Sequence, residues 1–204
     1  MLKQAMLGIF ASALAATTTQ AAVVNGSFET GDLTGWTPAH LSGIDVYTGG
    51  GNFDLHPHHG DYFAMLEGVR ENNYTSLMQS VYLKAGQTLY GWAMFLARDE
   101  LPQNDNAYAK IQLQNSVAGI TWTVDVMSVG DYGRTDWTKF EYEALVDGWY
   151  DISVGVANIG DGDEAYASAI LLDHVGIKGV PEPASMALLG LGLLGLGAVR
   201  RHKA

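Results

Sequence analysis

Within His56-Pro57-His58-His59, three imidazoles stand in four residues, and imidazole nitrogen is a ligand for zinc and copper. Pro57 restricts the backbone there, and no carboxylate or further ligand follows at a metal-binding spacing. The segment therefore reads first as a polar loop before a strand. Asp161-Gly162-Asp163-Glu164 and Asn104-Asp105-Asn106 are acidic turns. Neither has the twelve-residue ligand pattern of an EF-hand, which leaves solvated turns with at most weak cation affinity. Glu141 and Glu143 lie two residues apart, on one face of one strand. A glycosidase needs carboxylates flanking a single bond within a cleft. The chain has no Gly-x-Ser-x-Gly elbow, no His-Glu-x-x-His and no phosphate loop. It has no cysteine, hence no thiol nucleophile, thiolate metal site or disulfide. The expectation is a non-catalytic protein. Aromatic side chains offer more: Trp36, Trp92, Trp122, Trp137 and Trp149 carry faces that can stack on the C–H faces of sugar rings.

The elements that hold these residues repeat with period two. Trp122-Thr123-Val124-Asp125-Val126 alternates, as do Phe140, Tyr142 and Ala144 with Lys139, Glu141 and Glu143. Tyr150, Ile152, Val154 and Val156 alternate with Asp151, Ser153 and Gly155, and Ala109, Ile111 and Leu113 with Lys110, Gln112 and Gln114. Half-buried strands give this pattern. Further strands are expected near 44–48, 62–66, 76–83, 88–97 and 169–177, separated by Gly/Asn/Asp turns such as Gly49-Gly50-Gly51-Asn52 and Asp147-Gly148. Eight to ten short strands and no helix predict an all-β domain, a jelly-roll β-sandwich. If Phe140, Tyr142, Tyr150, Ile152 and Val154 fill its core, Trp137 and Trp149 face outward. Trp92 and Trp122 are assigned to the core.

Composition narrows the partners. Residues 22–179 form one domain by length and hold 21 acidic and seven basic residues, a formal charge of −14. Phosphate is repelled by such a surface, so nucleic-acid binding is excluded. Solubility and divalent cations are favoured.

The ends of the chain concern export. Met1-Leu2-Lys3 precedes an uncharged stretch from Ala5 to Thr19 and then Thr19-Gln20-Ala21. That is the layout of a signal peptide, residues 1–21, cut by signal peptidase after Ala21, with Ala22 as the alternative. At the other end Val180-Pro181-Glu182-Pro183 leads into an uncharged run, 184–199, closed by Arg200-Arg201-His202-Lys203. As a helix the run is about 24 Å long, and flanking residues or local thinning bring it to the roughly 30 Å of a bilayer core. The basic cluster stays cytoplasmic, so the domain lies outside. Residues 180–204 resemble the PEP-CTERM sorting signal. The resemblance implies that Pro181, Glu182 and Pro183 are read by exosortase, with Arg200 and Arg201 closing the transmembrane segment. It also implies a Gram-negative bacterium, with the protein anchored at the inner membrane and then delivered to the cell surface or extracellular matrix.

A second resemblance spans the domain. Val24-Asn25-Gly26-Ser27-Phe28-Glu29 with Gly35-Trp36, and Ile170-Leu171-Leu172-Asp173-His174-Val175-Gly176-Ile177, resemble the opening and closing segments of galactose-binding-like jelly rolls, a fold that many carbohydrate-binding modules share. His59-Gly60-Asp61-Tyr62-Phe63-Ala64-Met65 and Gln79-Ser80-Val81-Tyr82-Leu83-Lys84-Ala85-Gly86 fit its middle. The resemblance implies a structural Ca²⁺ held by Glu29, Asp173 and backbone carbonyls. Together the readings give a surface or matrix protein that contacts polysaccharide. A purely structural biofilm-matrix protein is the alternative and a glycan-processing enzyme the third reading.

Overall fold

The computed structural model describes residues 22–39, 42–50, 54–69, 72–102, 104–159 and 167–179. The signal peptide, the sorting segment with its apolar run, and the 161–164 acidic turn lie outside the described residues. Among the described residues no helix is long and apolar enough to cross a membrane.

Ten strands follow in chain order: β1 Thr37–Pro38, β2 Ile44–Tyr47, β3 Phe63–Glu67, β4 Tyr74–Leu83, β5 Thr88–Leu96, β6 Asn106–Leu113, β7 Gly119–Asp125, β8 Thr138–Glu143, β9 Gly148–Ala157 and β10 Ala169–Lys178. They form two five-stranded sheets, ordered β1-β4-β9-β6-β7 and β2-β3-β10-β5-β8. Every pairing is antiparallel. Consecutive strands repeatedly change sheets, as in a jelly roll. The period-two segments of the sequence are the strands of this sandwich. The two-residue β1 is too short to leave a periodic signal. One turn of helix, α1 Val126–Val129, corrects the expectation of a helix-free domain. Asp125 ends β7 and caps α1, accepting from Ser128 N at 2.8 Å, a local capping pattern that outcompetes strand continuation.

The core lies between the sheets and follows the alternation. Leu77, Val81 and Leu83 of β4, Ala107, Ala109 and Ile111 of β6, and Tyr150, Ile152, Val154 and Val156 of β9 meet Leu89, Ala93 and Phe95 of β5 and Ile170 and Leu172 of β10. The opening segment closes one end. Phe28 is fully buried and stacks on Trp36 at 5.4 Å, and the Trp36 indole donates to Asn25 O at 3.1 Å. Val175 N donates to Gly26 O at 2.8 Å, tying the closing strand to the opening turn.

Candidate functional site

The two outer faces of the sandwich differ. On the sheet β1-β4-β9-β6-β7 the outward phase is open and mixes aromatic with hydrogen-bonding side chains. Trp149 is 51% exposed, as its phase in β9 predicts. Tyr82 is its cross-strand partner in β4, and the rings meet edge to face at 5.7 Å. Lys84 Nζ lies 5.3 Å from the centre of the Tyr82 ring and pairs with Asp147 at 2.7 Å. One step along the same face, Asp151 accepts from Ser80 Oγ at 2.5 Å and from Gln114 Nε2 at 2.7 Å. Beside them lies an open polar groove of about 440 Å³ lined by Gln112, Gln114, Asn115, Ser116, Val117 and Asp151.

A second aromatic pair occupies the other end of β4. Tyr74 meets Tyr108 of β6 edge to face at 5.1 Å. Tyr108 lies against Gly155, where an added Cβ would sit 2.6 Å from the phenol ring; the missing side chain lets the ring settle on the sheet. Burial pushes the Tyr108 phenol up, against hydrogen bonds with Ser76 and Ser153 that lower it. Tyr74 and Tyr82 are eight residues apart in one strand, about 27 Å, so the two pairs bracket a long, shallow track. Sequence reasoning singled out Trp149 and missed Tyr74, Tyr82 and Tyr108. The signal was present: in β4 the polar phase runs Tyr74, Ser76, Met78, Ser80, Tyr82, with aromatic rings where serine or lysine is usual.

The outer face of β2-β3-β10-β5-β8 is covered. Phe63, Met65, Met94, Leu96, Ala169 and Leu171 form a second buried cluster with Leu55 from the preceding loop, and Trp137 packs against it. Trp137 does leave the main core as its phase predicts, but it is half-buried rather than open. Its indole donates to His56 O at 3.1 Å and its ring meets His58 at 5.9 Å and Phe63 at 6.3 Å. The 54–59 loop folds over this face because the outward phases of β3, β5 and β10 are themselves apolar, and leaving them in water is unfavourable. Trp92 corrects the core assignment. Leu89, Ala93 and Phe95 take the inward phase of β5, so Trp92 points out, opposite Asp173 and Lys139, and stacks on His58 at 4.0 Å and 19°. Trp122, by contrast, packs on the main core, as expected.

Glu29 and Asp173 converge on one stretch of this loop. The Glu29 carboxylate accepts from Asp61 N at 3.0 Å and Tyr62 N at 3.1 Å. Gly60 beside it has a left-handed φ of +75°, and an added Cβ would collide with Glu29 Oε1; glycine is required on both counts. Asp173 is fully buried and accepts from His59 N at 2.8 Å and His174 N at 2.5 Å. Burial pushes its carboxyl up to about 6, against the main-chain donors of His59, His174 and His58. These two groups fit Ca²⁺ in donor chemistry: hard carboxylate oxygens from the opening segment and β10, both bonded to one loop, with that of Asp173 buried and held by N–H dipoles. Among the described residues no three His, Asp or Glu side chains are gathered as a metal group, so backbone carbonyls would have to complete such a shell.

Glu141 and Asp105 are otherwise engaged. Glu141 is bonded by Lys139 at 2.6 Å and Lys178 at 2.7 Å, and those hydrogen bonds hold its carboxyl below the ordinary range, the reverse of what a general acid requires. Asp105, read as a solvated turn residue, is buried and accepts from Ile159 N at 2.8 Å and Ser168 N at 3.0 Å. It staples two segments because its side chain turns inward, which turn composition does not disclose. His58 and His174 are both pushed below the usual imidazole value, chiefly by burial and then by neighbouring histidine.

Comparison with known proteins agrees with the first resemblance, to the sorting signal. The PEP-CTERM protein-sorting motif matches residues 179–201, which implies an exported surface protein processed by exosortase. No curated protein sequence matches the chain. Solved structures to which the chain is similar include TmCBM61 in complex with beta-1,4-galactotriose. It is 19% identical, with a TM-score of 0.49, over 76% of this chain and 94% of that one. A family 16 carbohydrate-binding module is 16% identical, with a TM-score of 0.44, over 76% and 98%. The CBM22-1 xylan-binding domain of Xyn10C from Paenibacillus barcinonensis is 19% identical, with a TM-score of 0.40, over 75% and 90%.

Proposed function

We propose that this chain is a non-catalytic surface protein that lays a polysaccharide along the open face of β1-β4-β9-β6-β7. The half-exposed indole of Trp149, braced by Tyr82 and flanked by the Ser80–Asp151–Gln114 hydrogen-bonded row, carries the reading. Aromatic faces suit the apolar faces of sugar rings, and amide, hydroxyl and carboxylate groups beside them suit sugar hydroxyls. A shallow track fits a polymer better than a small molecule. The charge of −14 on residues 22–179 disfavours anionic chains and points to a neutral glycan. Each stacking contact contributes on the order of 1 kcal/mol, so retention relies on many copies meeting a repeating polymer.

Affinity electrophoresis in gels of neutral polysaccharide tests this. The parent domain is retarded, Trp149→Ala and Tyr82→Ala each lose most of the retardation, and both keep the parental circular dichroism. Trp137→Ala loosens the loop cover and lowers melting without selectively removing retention. A parent that runs unretarded on every glycan, or Trp149→Ala that runs like the parent, makes the purely structural matrix role the better account.

Sorting gives a second expectation. In a host with exosortase, the surface form lacks residues 1–21 and the segment beyond Pro181-Glu182-Pro183, the run 184–199 having served as a transient inner-membrane anchor. Intact-mass spectrometry of the surface fraction measures this directly. Recovery of a surface form that retains Ala184–Ala204 would contradict processing at the motif. In the same reading Glu29 and Asp173 hold a structural Ca²⁺ that fixes the 58–62 loop.

A further inference from the structure

On the covered face, His174 lies beside the adjacent His58 and His59, more than a hundred residues away in sequence. His58 Nδ1 and His174 Nδ1 are 3.2 Å apart. The ring of His59 lies 4.6 Å from that of His174. We propose that His58 and His174 are the fixed ligands of a borderline divalent transition-metal site, for Zn²⁺ or Cu²⁺, which His59 completes on binding.

The separation matches the chemistry. Two imidazole nitrogens on one tetrahedral ion, each at 2.0–2.1 Å from it, are about 3.3 Å apart, so the fixed pair already stands at chelating distance. Imidazole donors select zinc and copper over calcium, which requires oxygen. No three ligands are gathered in advance among the described residues. His59 is exposed and next to His58 in sequence, so its ring reaches the pair by side-chain rotation.

The framework around the pair is rigid. His58 is sandwiched on Trp92 at 4.0 Å with Trp137 at its edge. His174 sits where β10 gains one residue against β5, between the pairs Asp173↔Trp92 and Gly176↔Tyr90. This bulge gives His174 a φ of +51°, a left-handed value uncommon outside glycine, and bulges often re-aim side chains at functional positions. Tyr90 closes the far side of His174, edge to face at 5.7 Å. His56 stands apart, bonded to Asp54 at 3.1 Å, and serves as the internal control.

Zn²⁺ and Cu²⁺ titrations of the parent domain at neutral pH, in excess Ca²⁺, provide the test. Calorimetry counts the ions bound, and Cu²⁺ quenching of tryptophan fluorescence reports the site through Trp92 and Trp137. His58→Phe keeps a ring on Trp92 and removes the nitrogen. His174→Asn keeps a residue that tolerates the left-handed backbone. The expected result is one ion per chain, affinity weakened about tenfold or more in each of these variants, a smaller loss in His59→Ala, and none in His56→Ala. Variants that melt like the metal-free parent yet bind metal as the parent does would overturn the site. So would a parent that binds no ion in excess of the His58→Phe, His174→Asn double variant, or binding that disappears with His56→Ala alone. Should a single variant unfold, zinc-dependent melting of the intact parent decides: a rise supports the site and a flat response refutes it.

Discussion

In metal-free protein, stability measured against an Asp173→Asn variant is expected to fall as pH rises from about 4 to about 6, and Ca²⁺ is expected to abolish the fall. The cause is Asp173. Its carboxyl is fully buried and its proton is held to about pH 6, whereas in the unfolded chain an aspartate releases its proton near 3.9. Between those values the folded state binds more protons than the unfolded state, so the slope of stability against pH is negative. The shift of roughly two units corresponds to about 3 kcal/mol, fully expressed above pH 6. Exposed Asp32, Glu141 and Asp147 are lowered instead, by hydrogen bonds from Thr30, Lys139 and Lys84 first. Their contributions have the opposite sign and rise with pH below about 4; His58 and His174, lowered chiefly by burial, also gain stability with rising pH up to the unfolded imidazole value near 6.5, so the Asp173 share is read as the difference between the parent and Asp173→Asn. A cation on Asp173 and Glu29 neutralises the buried charge, and at a hundredfold excess over its dissociation constant adds about 2.7 kcal/mol. Urea denaturation at a series of pH values, with chelator and with Ca²⁺, measures both effects. Asp173→Asn should lose this fall, keeping the rise that the two histidines contribute, and lose the Ca²⁺ response. A parent whose melting is the same in chelator and in Ca²⁺ would show that the two carboxylates only hold the 58–62 loop.

The second large effect belongs to Phe28. Truncation to alanine is expected to cost about 3–5 kcal/mol, because the ring is fully buried and stacks on Trp36. For a domain of this size each kcal/mol moves the midpoint by about 2–4 °C, so melting should drop by about 6–20 °C. Phe28→Leu should lose far less. Trp36 fluorescence should shift to the red in Phe28→Ala as water reaches the indole. A Phe28→Ala midpoint within a few degrees of the parent would mean that the opening turn is not part of the cooperative core. Loss of glycan retention at temperatures where the variant is still folded would instead tie this end of the sandwich to the site.

The alternation of apolar and polar residues made the strands legible, since one face of each had to be buried. β9 shows why: Tyr150, Ile152, Val154 and Val156 in one phase put Trp149 in the other, and the structure leaves that indole open. The same logic placed Trp137 outside the main core but was silent on what covers it. Whether an outward residue meets water depends on the loops that fold over the sheet, and Leu55 and His58 reach this face from a segment with no periodicity. Trp92 was misplaced for a related reason. In β5 both phases are apolar, because one face packs on the core and the other on the loop cover, so period two carries no direction there.

Local sequence by itself determined the all-β class, most strand positions, the acidic surface, the sorting motif and one exposed tryptophan, because each is written in neighbouring residues. Tertiary structure alone decided which face is open and which is roofed, the pairing of Tyr82 with Trp149, and the approach of His174 to His58. It likewise set Glu29 against the main chain of Asp61 and Tyr62, and Asp173 against that of His59. Those relations join residues up to 116 positions apart, and they follow from strand order and register across two sheets, which no local periodicity encodes.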